Sequence, residues 1–138
     1  MHLTNGAYMR EARMGIVADM GSLQRLPYII GEGHLRELAF SGKDIDAAEA
    51  LRIGLVNRVY ATPEALLEAT RAQAEEIAAN PPLVTQGVKR VLNAGRDQSI
   101  EEGLRFVAAW NSAFMQSHDL AEAMAAFMQR RAPEFRGR

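Results

Sequence analysis

The sequence predicts a chain dominated by α-helices, with only a few short strands. From Thr62 onward, apolar residues recur at helical spacing in four successive segments. These segments begin at residues typical of helix N-termini or follow proline or glycine. Strand-like segments are brief and fall before residue 61. Standing alone, such elements would form a compact helical cluster.

The first 40 residues predict short elements separated by glycine and proline. Residues 7–10 read as a short strand. A turn or short helix is expected from Gly21 to about Pro27, because proline cannot continue a helix. The next helix is expected around His34 to Phe40, between glycines that interrupt the pattern.

Residues 46–60 predict a capped helix followed by a strand. Asp46 and Glu49 have the spacing of an N-cap residue and its partner three positions later. Gly54 is suited to the position that ends the helix. Residues 55–60 contain enough β-branched and aromatic side chains to predict a strand.

The second half is predicted to form the four amphipathic helices. Their boundaries are marked by Thr62-Pro63, Asn80-Pro81-Pro82, Ser99 with Glu102, and Asp119 with Glu122. The predicted buried face of the third helix is Ile100, Leu104, Val107, Ala108 and Phe114. Trp110 lies within that helix, and we expect it in the core or at a subunit interface.

Composition excludes several classes of function. The 138 residues carry 16 basic and 17 acidic side chains, so no basic stripe indicates nucleic-acid binding. There is no cysteine, which excludes disulfides and thiol catalysis. No apolar run reaches membrane-spanning length, and residues 1–6 lack the features of a signal peptide. We expect a cytoplasmic protein without a membrane or nucleic-acid partner, and no metal-ligand spacing surrounds His34 or His118.

Glu11 and Asp19 are the candidate catalytic residues. They flank the apolar stretch of residues 14–18. Two carboxylates in unlike surroundings can act as a base and an acid in moving protons at carbon. Taken by themselves, the pair more often represents a solvated loop glutamate and an N-capping aspartate.

The surrounding residues resemble the crotonase superfamily of enoyl-CoA hydratases and isomerases. The stretches that carry the resemblance are Glu11-Ala-Arg-Met-Gly15, Leu23-Gln-Arg-Leu-Pro27, Ala47-Ala-Glu-Ala-Leu-Arg-Ile-Gly-Leu-Val56 and Arg131-Ala-Pro-Glu-Phe135. Within it the chain is most similar to the Δ3,5-Δ2,4-dienoyl-CoA isomerases. That similarity rests on Asp19, where hydratases usually have glycine, on the segments 19–27 and 96–102, on Trp110-Asn111 and on Gln116-Ser-His-Asp119.

The resemblance implies an α/β crotonase-like (ClpP/crotonase) fold, of which this chain would be the C-terminal half. Residues 1–60 would be a remnant of the core that carries the catalytic carboxylates. Residues 61–138 would form the helical region for oligomerisation and CoA covering, in a homo-oligomer such as a trimer or hexamer. In the family the oxyanion hole lies in the other half, so we expect the 138 residues by themselves to have little isomerase activity.

The resemblance also implies roles for individual residues. Glu11 would remove the proton at C2 of a 3,5-dienoyl-CoA, and Asp19 would return one at C6, giving the 2,4-dienoyl-CoA of fatty-acid β-oxidation. Arg131 and Phe135 would meet the CoA adenine and phosphates, although Ala132 stands where many members have lysine. CoA would arrive with the substrate, and no metal or permanently bound cofactor is implied.

Other interpretations remain open. The chain could belong to an enoyl-CoA hydratase, although Asp19 would crowd a position usually left to glycine. It could instead be a non-catalytic fragment that pairs with other crotonase subunits through its helices. At the tail, Arg131 could be part of a solvated basic helix end, and Phe135 could be a packing anchor.

Overall fold

The structure is a computed structural model that describes residues 7–138. The prediction about a signal peptide falls on residues 1–6 and lies outside the described residues. The chain divides into two compact units, one up to Thr70 and one from Arg71 to Arg138. The predicted boundary at residue 60 separates a catalytic region from an oligomerisation region, which is a division by function. The two compact units do not test it, so it stays a prediction.

The first unit is built around a small two-stranded sheet and short helices. Strand β1 (Ala7–Tyr8) pairs antiparallel with β2 (Asp44–Ile45). A short 3₁₀ helix (Glu11–Met14) follows β1, and α1 (Ser22–Arg25), α2 (Pro27–Ser41) and α3 (Ala47–Arg52) complete the unit's early elements. Its core consists of Met9, Ala18, Ile30, Leu35, Leu38, Ile45, Ala50, Ile53 and Val56.

Helix α2 confirms the predicted helix around His34 to Phe40 and extends it at both ends. Gly31 interrupts it with φ 73° and ψ 161°, a backbone conformation that costs other residues much more than glycine. After this break the helix continues to Ser41 and buries Leu35 and Leu38 against the core. The break separates the turn around Pro27 from the part of α2 that lies over the core.

The capping prediction for α3 is confirmed, because the Glu49 N–H donates to the Asp46 side chain at 2.8 Å. The predicted strand at residues 55–60 is wrong. The N–H groups of Leu55 and Val56 both donate to the carbonyl of Ala50, at 2.9 and 3.3 Å. These bonds close the end of α3, so this backbone does not enter a ladder, and β1 pairs with residues 44–45 instead.

The second unit consists of helices joined by short connections. Helix α4 (Pro63–Ala78) begins in the first unit, and its start is confirmed by a bond from the Ala65 N–H to the Thr62 hydroxyl. It is followed by α5 (Pro82–Ala94), a 3₁₀ turn (Gly95–Asp97), α6 (Ile100–Phe114) and α7 (His118–Gln129). The predicted box of Ser99 and Glu102 caps α6, with each side chain bonded to the other's backbone N–H.

The predicted buried face of α6 is wrong in part. Ile100 is 85% exposed and Leu104 is 64% exposed. The face toward α5 centres instead on Trp110, whose ring packs over Gly87. A Cβ on Gly87 would lie 2.4 Å from the Trp110 Nε1 atom, so only glycine permits this approach.

The predicted cap of α7 is also wrong. Ser117, rather than Asp119, is the N-cap residue, and its hydroxyl accepts the Leu120 N–H at 3.2 Å. Asp119 and Glu122 are therefore free to bind the chain that follows α7.

Candidate active site

Glu11 lies at the start of the 3₁₀ helix that follows β1 and the buried Met9. Its Oε2 atom is buried and accepts no hydrogen bond from any group in residues 7–138. Buried polar atoms nearly always have a partner, so an exception of this kind indicates a place for an unrecorded one. The buried Glu11 oxygen therefore has acceptor capacity that a molecule lying next to it would fill.

That molecule would enter a cavity of about 380 Å³ beside Glu11. This volume is within the roughly 300–1,000 Å³ typical of small-molecule sites. The apolar part of the wall comes from Met9, Ala12, Ile16, Val17, Ala18, Leu23, Pro27, Leu35, Ala39 and Phe40. Within the apolar stretch of residues 14–18, Ile16, Val17 and Ala18 line the cavity, whereas Met14 does not and is exposed.

Helix α2 adds one charged pair to this wall. The Arg36 Nε and Nη2 atoms both donate to Glu32 Oε2, at 3.3 and 3.2 Å. Both side chains are largely exposed, so the pair adds little to stability. Glu32 is therefore paired with an arginine, whereas the buried oxygen of Glu11 has neither a cation nor a hydrogen-bond donor next to it within residues 7–138.

Asp19 lies directly after the buried Ala18, which forms part of the cavity wall, but Asp19 is exposed and does not line the cavity. The alternative role as a helix cap is not observed, because the N-cap residue of α1 is Gly21 and no side chain caps the helix. Asp19 therefore adjoins the cavity wall in sequence but is not part of it.

Arg131 and Phe135 lie in the second unit, in the tail that follows α7. The Arg131 Nη1 and Nη2 atoms donate to the two carboxylate oxygens of Glu122, at 2.5 and 2.9 Å. Its Nε atom donates to Gln129 at 2.8 Å. Arg131 is thus engaged by neighbouring side chains, while the Phe135 ring is half-buried.

Two carboxylates that the sequence analysis assigned to capping hold this tail. Asp119 is 1% exposed and accepts the N–H groups of Arg136 and Gly137 at 2.7 and 2.8 Å. The bond from Arg136 is the main reason why the pKa of Asp119 lies below its ordinary value. Arg131 likewise holds the pKa of Glu122 at about 2. The sequence feature that could have indicated this attachment is the pair of carboxylates three positions apart, followed by an arginine-rich tail.

Another cavity, of about 530 Å³, lies within the second unit. Its wall is mainly apolar and comes from α5, α6 and α7, with Val84, Val88, Trp110, Phe114 and Leu120 among its lining residues. In the part of the chain that the structure describes, no three His, Asp or Glu side chains are grouped closely enough to bind a metal ion. None of the helices described is both long and apolar enough to cross a membrane.

The first unit therefore combines a buried carboxylate oxygen without a partner, beside a mainly apolar cavity, with an exposed carboxylate that directly follows a residue of the cavity wall. The enoyl-CoA hydratase/isomerase family matches residues 5–138, so the chain belongs to this family.

Individual relatives support the same assignment. A mitochondrial Δ3,5-Δ2,4-dienoyl-CoA isomerase from Dictyostelium discoideum is 48% identical over 93% of this chain and 44% of its own length. A peroxisomal one from Arabidopsis thaliana is 42% identical over 92% and 46%. The crystal structure of the enoyl-CoA hydratase EchA1 from Mycobacterium marinum superposes with a TM-score of 0.87 at 34% identity, covering 95% of this chain and 53% of its own.

The predicted crotonase-like fold is confirmed by this superposition. The chain spans about half the length of the relatives it matches.

Proposed function

We propose that the chain is part of an acyl-CoA isomerase that converts a 3,5-dienoyl-CoA into a 2,4-dienoyl-CoA. The observation that carries this proposal is the buried Glu11 oxygen without a hydrogen-bond partner in an apolar cavity. The similarity to relatives named as dienoyl-CoA isomerases supports the substrate class.

In the proposed reaction Glu11 takes the proton from C2 of the substrate. The electrons of the broken C–H bond form the C2=C3 double bond, and the π electrons of C3=C4 move to form C4=C5. The π electrons of C5=C6 form the new C–H bond at C6 with a proton from Asp19, which leaves the Asp19 carboxylate ionised. Because Asp19 is exposed, it can regain its proton from water, and Glu11 can release the one it took.

The dienolate formed on the way carries negative charge on the thioester oxygen. Donors that bind such an oxygen are worth about 3–4 kcal/mol each in typical enzymes. By the family resemblance these donors belong to a part of the fold that precedes the matching segment. The expectation that the 138 residues alone have little activity stays a prediction, and assaying them with the same substrate tests it.

We also propose that the tail of the second unit meets the nucleotide part of CoA, with Phe135 offering an aromatic ring and Arg131 a guanidinium group. The half-buried Phe135 ring supports this role. Arg131 supports it less directly, since Glu122 and Gln129 already accept its hydrogen bonds. A cytoplasmic homo-oligomer, trimeric or hexameric, remains part of the proposal, although the relatives described above are mitochondrial and peroxisomal.

A second candidate is hydration of a 2-enoyl-CoA, because the superposed structure is described as an enoyl-CoA hydratase. A third is a non-catalytic subunit that assembles with others through its helices. The two enzyme classes differ in whether Asp19 is needed, and the third predicts no turnover with either substrate.

The test compares Glu11→Gln with Glu37→Gln in the full-length protein. Glu37 lies on α2, pairs with Lys43 and does not line the cavity. With a 3,5-dienoyl-CoA we expect Glu11→Gln to lower kcat by about two to four orders of magnitude, the usual contribution of a positioned acid–base group. Glu37→Gln should stay close to wild type. A Glu11→Gln enzyme with wild-type kcat, or a wild-type protein that turns over only 2-enoyl-CoA, would contradict the proposal.

A further inference from the structure

The tail consists of residues 131–138, and its last residues are held through their backbone. The buried Asp119 accepts the N–H groups of Arg136 and Gly137. In return the Asp119 N–H donates to the Arg138 carbonyl at 3.2 Å. A buried carboxylate is costly unless hydrogen bonds compensate for its lost hydration, and here two backbone donors of the tail supply them.

Glu122 holds the beginning of the same tail. It binds the Arg131 guanidinium through both oxygens and accepts the Glu134 N–H at 2.9 Å. Asp119 and Glu122 are three residues apart on α7, so they lie on one face of the helix. Together they attach the tail at both ends, with Phe135 between the two points of attachment.

This arrangement leaves cationic side chains unoccupied. Arg130, whose φ of 53° ends α7, and the tail's Arg136 and Arg138 are exposed. None of the three has an ion-pair partner within residues 7–138. Because Asp119 binds the backbone N–H of Arg136, the backbone that carries this guanidinium group is held while the group itself remains available to an anion.

We propose that Asp119 is a positioning residue for CoA recognition, holding the tail so that its unpaired arginines and Phe135 face the phosphates and the base of the CoA nucleotide. The inference rests on the proposed function for the identity of the ligand. Guanidinium–phosphate contacts are charge-assisted and directional, so they weaken steeply when the backbone that carries the guanidinium is free to move. Asp119 itself does not touch the ligand.

The experiment measures kcat and KM of the full-length protein with a dienoyl-CoA and with the same acyl group on pantetheine, which lacks the nucleotide. For Asp119→Ala we expect KM for the CoA thioester to rise about tenfold, the scale of losing a charge-assisted bond, with kcat within about twofold. KM for the pantetheine thioester should not change. The matched control is Glu101→Gln, which removes an exposed ion pair with Arg105 on α6 and leaves the tail untouched.

Trypsin reports the state of the tail independently of activity. Asp119→Ala should be cut after Arg131 and Arg136 at least ten times faster than the wild type or Glu101→Gln. If Asp119→Ala does not fold, Asp119→Asn replaces it, because asparagine keeps one acceptor oxygen and should give a smaller shift in the same direction. An equal rise in KM for both thioesters, a loss confined to kcat, or an unchanged KM for the CoA thioester would overturn the inference.

The outcomes also separate this inference from the proposed function. If the wild-type protein turns over neither thioester, the proposed function is contradicted. The role of Asp119 is then tested by binding rather than by kinetics. Calorimetry with free CoA and free pantetheine then gives the answer. Asp119→Ala should weaken CoA binding about tenfold and leave pantetheine binding unchanged, and equal effects on both would overturn the inference.

Discussion

Glu11 and Asp19 differ in what surrounds their carboxylates. One oxygen of Glu11 is buried in an apolar cavity without a partner, whereas Asp19 is exposed at the cavity's edge. Two carboxylates that act as base and acid need unlike environments of this kind. In the proposed reaction Glu11 would take a proton from the substrate, and the exposed Asp19 would deliver one and regain it from water.

Asp19 offers a test of dienoyl specificity. We expect Asp19→Asn to lower kcat for the 3,5-dienoyl-CoA by about two orders of magnitude or more, because the amide cannot deliver a proton at C6. Asp19→Gly should behave similarly without loss of thermal stability, since α1 does not use Asp19 as a cap. Hydration of a 2-enoyl-CoA, which needs no proton delivered that far along the chain, should be unaffected or become detectable.

The measurement is kcat of both variants on both substrates, with a thermal melt of each. Full isomerase activity in Asp19→Asn would show that the dienoyl assignment is wrong.

Motifs mark Glu11 and Asp19 as candidates, and their catalytic roles stay predictions, but the sequence did not predict the contacts of Asp119. Both Ser117 and Asp119 can start a helix, and a glutamate three residues after Asp119 favoured the latter. In the structure Ser117 is the cap, because the Asp119 carboxylate binds the N–H groups of Arg136 and Gly137 instead. These residues lie 17 and 18 positions further along the chain. Local patterns do not contain such a distant contact, so the cap was misplaced.

At the level of elements, the starts of α3, α4 and α6 could be predicted, whereas the buried face of α6 was predicted only in part. Thr62, Ser99 and Asp46 act within three residues of themselves, so their roles are visible in the sequence. The face of α6 depends on Gly87 in another helix, which admits the Trp110 ring. The strand expected at 55–60 failed for a related reason, because a strand requires a partner and this backbone bonds to α3 instead.

The α5–α6 contact is tested by a pair of glycine variants. Gly87→Ala should lower the free energy of unfolding by about 1–2 kcal/mol, because the new Cβ would lie 2.4 Å from Trp110 Nε1 and overpacking outweighs the better helix propensity. Gly103→Ala is the matched control within α6. Its Cβ would meet nothing within 4 Å, so it should raise stability by roughly 0.5–1 kcal/mol. Urea unfolding measures both, and a Gly87→Ala protein as stable as wild type would contradict the packing.

The tail attachment predicts an acid-dependent change in α7 and residues 131–138. The folded pKa of Glu122 is about 2 against an ordinary 4.5, and that of Asp119 is also lowered. A depressed carboxylate pKa gives stability that is complete above the ordinary value and is lost as pH falls toward the folded one. The charged side chains next to this pair are His118 and Arg131. The backbone N–H groups of the tail also donate to it.

The protection factor of an amide is the hydrogen-exchange rate of an unstructured chain divided by the observed rate at the same pH. For residues 131–138 it should therefore be high above about pH 5 and fall between pH 4.5 and 3. Glu122→Gln should exchange faster at neutral pH and show a weaker acid transition. Exchange in the wild-type tail that is equally protected at pH 3 and pH 6 would contradict the attachment.

At the scale of the whole molecule, the apolar surface exceeds what the chain covers by itself. On α7, Met124, Phe127 and Met128 lie at helical spacing along one face, and each is mostly exposed. On α6, Ile100 and Leu104 are exposed as well. Contiguous apolar stripes of this kind usually mark a surface that another chain covers.

We therefore expect the protein to self-associate at micromolar concentration. Phe127→Glu should shift it toward the monomer, because a charge in the middle of the α7 stripe would have to be buried unpaired in the assembly. Ala72→Glu adds the same charge at an exposed position on α4 and should leave the assembly intact. Size exclusion coupled to light scattering gives the mass of each. A wild-type protein that elutes as a clean monomer and melts cooperatively would show that these helices need no partner, and an equal shift by both variants would show that charge alone, rather than the α7 stripe, controls association.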